Sequence, residues 1–156
     1  MSAAEGWLGL GDVAEARAEL ERVNESLQQH PAVLDVRWAI FAHEQDWPNA
    51  LALARKLVKL FPENPSGWLH VAYALRRVPE GGLTAAWKYL LPALEKFPDV
   101  SIIPYNLSCY ACQMGEGEKA MELLKRAIDN GDGNEIKKIA LEDSDLETLR
   151  PLIRAM

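Results

Sequence analysis

A chain of 156 residues is long enough for one domain or one short solenoid, and 49% hydrophobic residues can form a continuous core. The formal net charge of −6, with cations interspersed among carboxylates, argues against a nucleic-acid partner, because phosphate binding depends on clustered Lys and Arg. No stretch approaches the ~20 apolar residues of a membrane span, and the N-terminus lacks the pattern of a secretion signal. We therefore expect a cytoplasmic protein without a membrane partner.

The first half of the chain predicts five helices. Residues 2–10 form a short first helix, and Asp12 with Glu15 has the capping-box spacing that begins a second, which runs to about Gln29. A third helix covers about 31–44. Asp46 caps a fourth, to about residue 60, and Asn64–Pro65 opens a fifth, which ends near residue 77.

The second half predicts five more. The sixth helix, about 83–97, contains Pro92, which removes the hydrogen bond to the carbonyl of Lys88 and should kink it. The seventh begins between residues 101 and 104 and ends at Gly115, the eighth covers about 116–130, and the ninth about 134–141. Ser144 and Glu147 predict a capping box for the tenth. The last two helices are expected to cap the end of the protein.

Alanine recurs at nearly constant spacing in the second helix of each predicted hairpin. Ala16, Ala50, Ala86 and Ala120 are 34, 36 and 34 residues apart, and small side chains let two helices approach to roughly 8–10 Å. A helical period of this length resembles the tetratricopeptide repeat (TPR) family. The resemblance implies an all-α, right-handed TPR-like α-solenoid of about four hairpins with a C-terminal capping helix. The expected organisation is one domain, 1–156, with repeats at about 1–30, 31–63, 64–99 and 100–132 and a cap at 133–156.

Toward the end of the chain, the resemblance becomes specific to a smaller group within the family. Residues 105–115 and 140–149 are similar to the ending of a group of small bacterial stand-alone TPR proteins. Because the similarity covers nearly the whole chain, we expect a complete domain; it implies no particular partner. Trp38 stands where the family usually has glycine, so the second hairpin should pack more openly there. Four of the five tryptophans are expected in the core, with Trp47 partly exposed.

In this family the first helix of each hairpin lines a concave groove. The resemblance implies that the groove positions form an apolar, aromatic trough with cations in its middle, which suits an extended peptide or an amphipathic helix. A second interpretation is that Tyr73 and Tyr105 only pack between neighbouring helices. The Lys/Asn clamp by which some TPR domains hold a terminal carboxylate is not implied, because Asp35, Ala39 and Tyr73 occupy those positions. The predicted groove residues are Asp35, Ala39, His43, Leu69, Tyr73, Arg76, Arg77, Ile102, Tyr105, Cys109 and Cys112, with Leu69, Tyr73, Arg76 and Tyr105 as the contact centre.

Cys109 and Cys112 form a Cys-x-x-Cys pair, which can be a redox couple or half of a zinc site. No strand is predicted before the pair, and the three histidines show no ligand spacing relative to it. We therefore favour small groove or core residues and expect no metal, cofactor or catalytic group. A metal or redox accessory role based on the two cysteines is the minor alternative.

The sequence therefore predicts a non-catalytic scaffold that holds a protein or peptide partner of unknown identity in its groove. The alternative is self-assembly, including a homodimer, in which the groove or an uncapped N-terminal hairpin pairs with a second copy. The short first helix favours this alternative slightly, because it leaves apolar surface near Trp7.

Overall fold

A computed structural model describes residues 2–156, and these residues form two compact units. The first unit ends at Glu80 and the second begins at Gly81. This boundary falls within the predicted third repeat, between its two helices. The organisation as one domain stays a prediction, and the two units are described separately.

The first unit contains five α-helices. α1 packs against α2, α3 packs against α4, and α5 packs against both α3 and α4. Alanines make the closest contacts, since Ala16, Ala50 and Ala54 are completely buried. The helices are α1 (Ser2–Gly9), α2 (Val13–Glu21), α3 (Pro31–His43), α4 (Trp47–Leu60) and α5 (Pro65–Leu75), with a 3-10 turn at Glu25–Leu27.

The predicted N-caps of this unit are confirmed. The side chains of Asp12, Asp46 and Asn64 each accept a hydrogen bond from a backbone N–H in the first turn of α2, α4 and α5. Each bond satisfies a donor that has no partner within the helix.

The predicted length of α2 is wrong. The helix ends at Glu21 rather than near Gln29. Asn24 accepts from the backbone N–H of Ser26 and starts the 3-10 turn instead, which is the usual competition of Asn with helical bonding. The Gln28 amide then donates to the carbonyls of Leu20 and Val23 at 3.0 and 2.7 Å, so its side chain occupies acceptors near the end of α2.

The second unit contains the remaining helices. α8 packs against α6, α7 and α9, and the chain after α10 turns back to pack on α8. The helices are α6 (Leu83–Leu90), α7 (Ala93–Lys96), α8 (Ile102–Gln113), α9 (Gly117–Asn130), α10 (Gly133–Glu142) and α11 (Arg150–Arg154), with a 3-10 helix at Ser144–Leu149.

Two predicted helices of this unit differ from the structure. Pro92 ends α6 at Leu90, and a separate short helix begins at Ala93, so the effect exceeds a kink. Asp143, not Ser144, is the N-cap near the C-terminus: its carboxylate accepts from the backbone N–H of Asp145 at 2.9 Å. The residues that follow form a 3-10 helix before α11 begins.

The expectation that four of the five tryptophans lie in the core is wrong: Trp38 is buried, Trp7 is exposed, and Trp68 and Trp87 are half-buried. Trp47 is half-buried, which agrees with its predicted partial exposure.

Three turns share one hydrogen-bond pattern. After α1, α3 and α8 the chain passes through a left-handed residue, Gly11, Gln45 or Gly115, with φ of 79°, 58° and 81°. At each turn this residue's N–H bonds to the carbonyl three residues back, and the next N–H bonds to the carbonyl five back, which is the Schellman motif. Gln45 is the one non-glycine with positive φ within residues 2–156.

Within residues 2–156, no helix combines the length and apolarity needed to cross a bilayer.

Candidate functional site

The first unit carries an aromatic cluster formed by Trp38, Trp47, His70, Tyr73 and Arg77. The rings of Trp38 on α3 and His70 on α5 are stacked, with centroids 3.9 Å apart and planes 13° apart. Tyr73 meets Trp38 edge-on at 5.6 Å and meets Trp47, at the start of α4, at 5.8 Å. Three helices therefore contribute to one aromatic surface.

Arg77 is held against this surface. Its guanidinium carbon lies 3.6 Å from the centroid of the Tyr73 ring and 5.1 Å from that of Trp47, within the range of cation–π attraction. Its Nη1 donates to the backbone carbonyl of Tyr73 at 2.8 Å. The charge is thus fixed in position at the end of α5.

Asp35 connects α3 to α5 beside the cluster. One of its oxygens accepts from the Ser66 hydroxyl at 3.1 Å and lies 3.1 Å from Nε2 of His70. Ser66 and His70 are one turn apart on α5, so a single carboxylate contacts both. The buried indole nitrogen of Trp38 has no hydrogen-bond partner within the described residues.

The predicted groove residues of this unit divide into two groups. Asp35, Tyr73 and Arg77 lie in or beside the aromatic cluster, and Tyr73 is 39% exposed. His43 is exposed at the end of α3. Leu69 on α5, Arg76 at its C-cap and Ala39 on α3 are half-buried.

Sequence reasoning missed Trp38, Trp47 and His70 as members of the site. Helical spacing could have indicated two of them, because Trp38 follows Asp35 by three residues and Tyr73 follows His70 by three. Trp47 gave no such signal, since it is the first residue of α4 and reaches the cluster only through packing.

In the second unit, four residues of α8 contact the chain's own later segment. We call Tyr105, Cys109, Cys112 and Gln113 the α8 face, and residues 143–149 the folded-back segment. The Tyr105 hydroxyl donates to Oδ2 of Asp143 at 2.8 Å, and the Cys109 thiol lies 3.6 Å from the same oxygen.

The other half of the α8 face holds the rest of the segment. The Gln113 amide donates to the backbone carbonyl of Asp145 at 2.9 Å, and Cys112 Sγ is 3.2 Å from the Thr148 hydroxyl. Leu146 and Leu149 of the segment are buried. The folded-back segment thus covers a face that was predicted to receive a partner.

The predicted groove residues of α8 therefore differ in exposure. Tyr105 and Cys109 are buried, Cys112 is half-buried, and Ile102 at the start of the helix is 44% exposed. Their contact with an external partner stays a prediction.

The surroundings of Tyr105 change its ionisation. Burial raises the pKa of the Tyr105 hydroxyl far above its usual value, and the hydrogen bond to Asp143 raises it further. The negative charges of Asp143 and Asp145 act in the same direction. The phenol consequently stays protonated and remains a donor to the segment.

The two cysteines have different neighbours. Neither forms a disulfide bond. Possible ligand atoms of Cys109, Asp143 and Asp145 lie within 4.8 Å of one another, whereas Cys112 contacts the hydroxyl of Thr148. The two thiols thus contact different residues of the folded-back segment.

Comparison with known proteins provides evidence for the fold alone. No model of a known protein family matches the chain, and no curated protein matches it. The crystal structure of MamA, a TPR-containing protein, is similar to this structure with a TM-score of 0.64 at 18% sequence identity, over 98% of this chain and 91% of that one. The likeness shows the fold, which is an all-α, TPR-like α-solenoid.

Proposed function

We propose that this protein is a non-catalytic interaction module that binds a peptide segment of a protein partner along the first helices of its hairpins. The observation that carries the proposal is the folded-back segment on α8. Its seven residues, the N-cap Asp143 and a six-residue 3-10 helix, are held there by Tyr105, Cys109, Cys112 and Gln113. A helix of this protein therefore holds a peptide-like segment through three side chains at predicted groove positions, Tyr105, Cys109 and Cys112, and through Gln113 beside them.

The same positions recur on α5. Leu69 and Tyr73 on α5, with Arg76 and Arg77 directly after its end, each precede a residue of the α8 face by 36 positions, the spacing between Trp68 and Pro104 in the two first helices. We call these four residues the α5 face. Cys109 is 4% exposed, whereas its counterpart Tyr73 is 39% exposed. At this position the α5 face is the more accessible of the two.

The chemistry of the α5 face favours binding over catalysis. Exposed Tyr rings and a fixed guanidinium are frequent at the centres of protein interfaces. Ser66, His70 and Asp35 do not form a nucleophile relay, because the Ser66 hydroxyl bonds to Asp35 rather than to His70.

The test is selection of peptides from a random library on the purified protein, followed by affinity measurement with the Tyr73→Ala variant. We expect Tyr73→Ala to weaken binding by about tenfold, because truncating an aromatic residue at an interface centre costs more than about 1 kcal/mol. Fluorescence anisotropy of labelled peptides gives the affinity, and circular dichroism checks the fold.

Leu91→Ala is the matched control, since Leu91 in the other unit is 40% exposed and lies outside both faces. Unchanged affinity in a folded Tyr73→Ala protein would contradict the proposal, as would failure to select any peptide.

A second candidate function is self-association through the first hairpin. Trp7, near the end of α1, is 38% exposed, and Leu10, in the turn after α1, is 79% exposed. Two large apolar side chains this close together form surface that a second copy could cover.

A further inference from the structure

The folded-back segment indicates which peptides such a face accepts. Its sequence, Asp-Ser-Asp-Leu-Glu-Thr-Leu over residues 143–149, combines acidic residues with two leucines three positions apart. The leucines are buried, while Asp143 accepts hydrogen bonds at the first position. The segment is therefore a template whose positions can be compared with the side chains of the α5 face one by one.

The first position of the template differs in chemistry between the two faces. On α8, Tyr105 offers a hydroxyl to the carboxylate of Asp143. On α5 the corresponding residue is Leu69, which offers no donor. A carboxylate at this position would lose its partner and its hydration together, so the position suits an apolar side chain.

At the third position of the template, the α5 face offers a charged donor where the α8 face offers a neutral one. On α8, Gln113 donates to the backbone carbonyl of Asp145. On α5 the corresponding donor is Arg77, whose five N–H groups include one bonded to the carbonyl of Tyr73. Within residues 2–156 no carboxylate forms an ion pair with Arg77; its contacts are that carbonyl and two aromatic rings.

A guanidinium already fixed between rings binds a carboxylate with less loss of side-chain freedom than a mobile one. Asp35, the acidic group beside the cluster, is engaged by Ser66 and His70 and lies on α3. An acidic ligand side chain is therefore attracted to the Arg77 end of the face rather than to the Asp35 side.

We propose that the α5 face recognises a short protein segment with an apolar residue at its first position, an acidic residue at its third and leucines after it. This inference rests on the proposed function and adds the chemistry of the partner. Arg77 contacts the acidic side chain, and Leu69 and Tyr73 contact the apolar residues.

The test uses labelled seven-residue peptides and the full chain. The probe is Leu-Ser-Asp-Leu-Glu-Thr-Leu, which is compared with Leu-Ser-Asn-Leu-Glu-Thr-Leu and with the chain's own sequence Asp-Ser-Asp-Leu-Glu-Thr-Leu. We expect the probe to bind about tenfold more tightly than the Asn peptide, since a charge-assisted contact is stronger than a neutral one. Its affinity should fall as salt increases, and the peptide with Asp at position one should bind more weakly.

Arg77→Gln places on α5 the amide that α8 has at Gln113. It should abolish the preference for Asp over Asn while circular dichroism stays unchanged. The control Arg55→Gln, at an exposed arginine of α4 in the same unit, should leave the preference intact.

The inference is wrong if the Asp and Asn peptides bind the wild-type protein equally, or if the preference survives in Arg77→Gln. It is also wrong if none of the three peptides binds while library peptides bind in a Tyr73-dependent manner; in that case the proposed function stands and only the partner chemistry fails. If no library peptide binds either, the proposed function is wrong, and the inference about the partner's chemistry is wrong with it.

Discussion

Tyr105 lies beneath the folded-back segment, and its raised pKa links the stability of the second unit to pH. An exposed tyrosine ionises near pH 10, so the unfolded chain loses this proton first as pH rises. The folded state retains it, because burial and Asp143 disfavour the phenolate. The contribution of Tyr105 to stability is therefore complete below pH 10 and decreases above it.

We expect Tyr105→Phe to lower the free energy of unfolding by about 1.5–3 kcal/mol at pH 8, the range for a hydrogen bond to a charged group. The difference from wild type should shrink as pH rises from 10 to 11.5, by up to about 1.4 kcal/mol per unit. Urea unfolding followed by circular dichroism at several pH values measures this. A difference that stays constant to pH 11.5 would show that the ionisation of Tyr105 is not coupled to folding.

At the residue scale, the sequence predicted those site residues that the repeat positions identify. Asp35, Tyr73 and Arg77 occupy such positions and lie in or beside the aromatic cluster. Helical spacing could have placed Trp38 and His70 on the same helix faces as Asp35 and Tyr73, but their ring stacking depends on how α3 and α5 pack. Burial of Tyr105 and Cys109 was equally inaccessible, since their cover comes from 34 to 38 residues later in the chain.

At the scale of the element, the three Schellman turns allow a direct comparison. Gly11 and Gly115 adopt positive φ without a Cβ, whereas Gln45 places a side chain in the same conformation. A Cβ in this region costs about 1–2 kcal/mol, while the extra freedom of glycine in the unfolded chain offsets about 0.5–1 kcal/mol.

Gln45→Gly should therefore increase the free energy of unfolding by about 0.5–1 kcal/mol. The reverse substitution, Gly115→Gln, should decrease it by a similar amount, since open space surrounds Gly115 and only the φ angle opposes a side chain there. Urea denaturation of both variants gives the two values. A loss of stability in Gln45→Gly would mean that the Gln45 side chain contributes more than its backbone conformation costs.

Helix beginnings were easier to predict than helix ends. Asp12, Asp46 and Asn64 define starts through bonds to residues two or three positions ahead, which is information local to the sequence. The end of α2 depends on Asn24 and on the side chain of Gln28, which competes for the carbonyls of that helix. The 3-10 conformation after Asp143 depends on packing against α8.

At the scale of the whole molecule, the repeat spacing predicted the fold class, because each alanine marks a helix contact. It did not predict the division at Glu80, since the period continues through this boundary. The repeat period also does not predict whether the protein is a monomer or an oligomer.

We expect self-association to depend on the first hairpin. If Leu10 and Trp7 contact a second copy, light scattering should show a mass that increases with concentration, and Leu10→Ser should reduce this increase. Leu27→Ser is the control, since Leu27 in the same unit is 50% exposed. A mass of one chain at all concentrations, or equal effects of both variants, would exclude this contact.

The position of the folded-back segment in the chain has a consequence for synthesis. The ribosome makes α8 before residues 143–149, and at about 5–20 residues per second the delay is on the order of 2–8 s. During this interval Tyr105 and Cys109 lack their cover, and the nascent second unit presents an apolar helix that chaperones could bind.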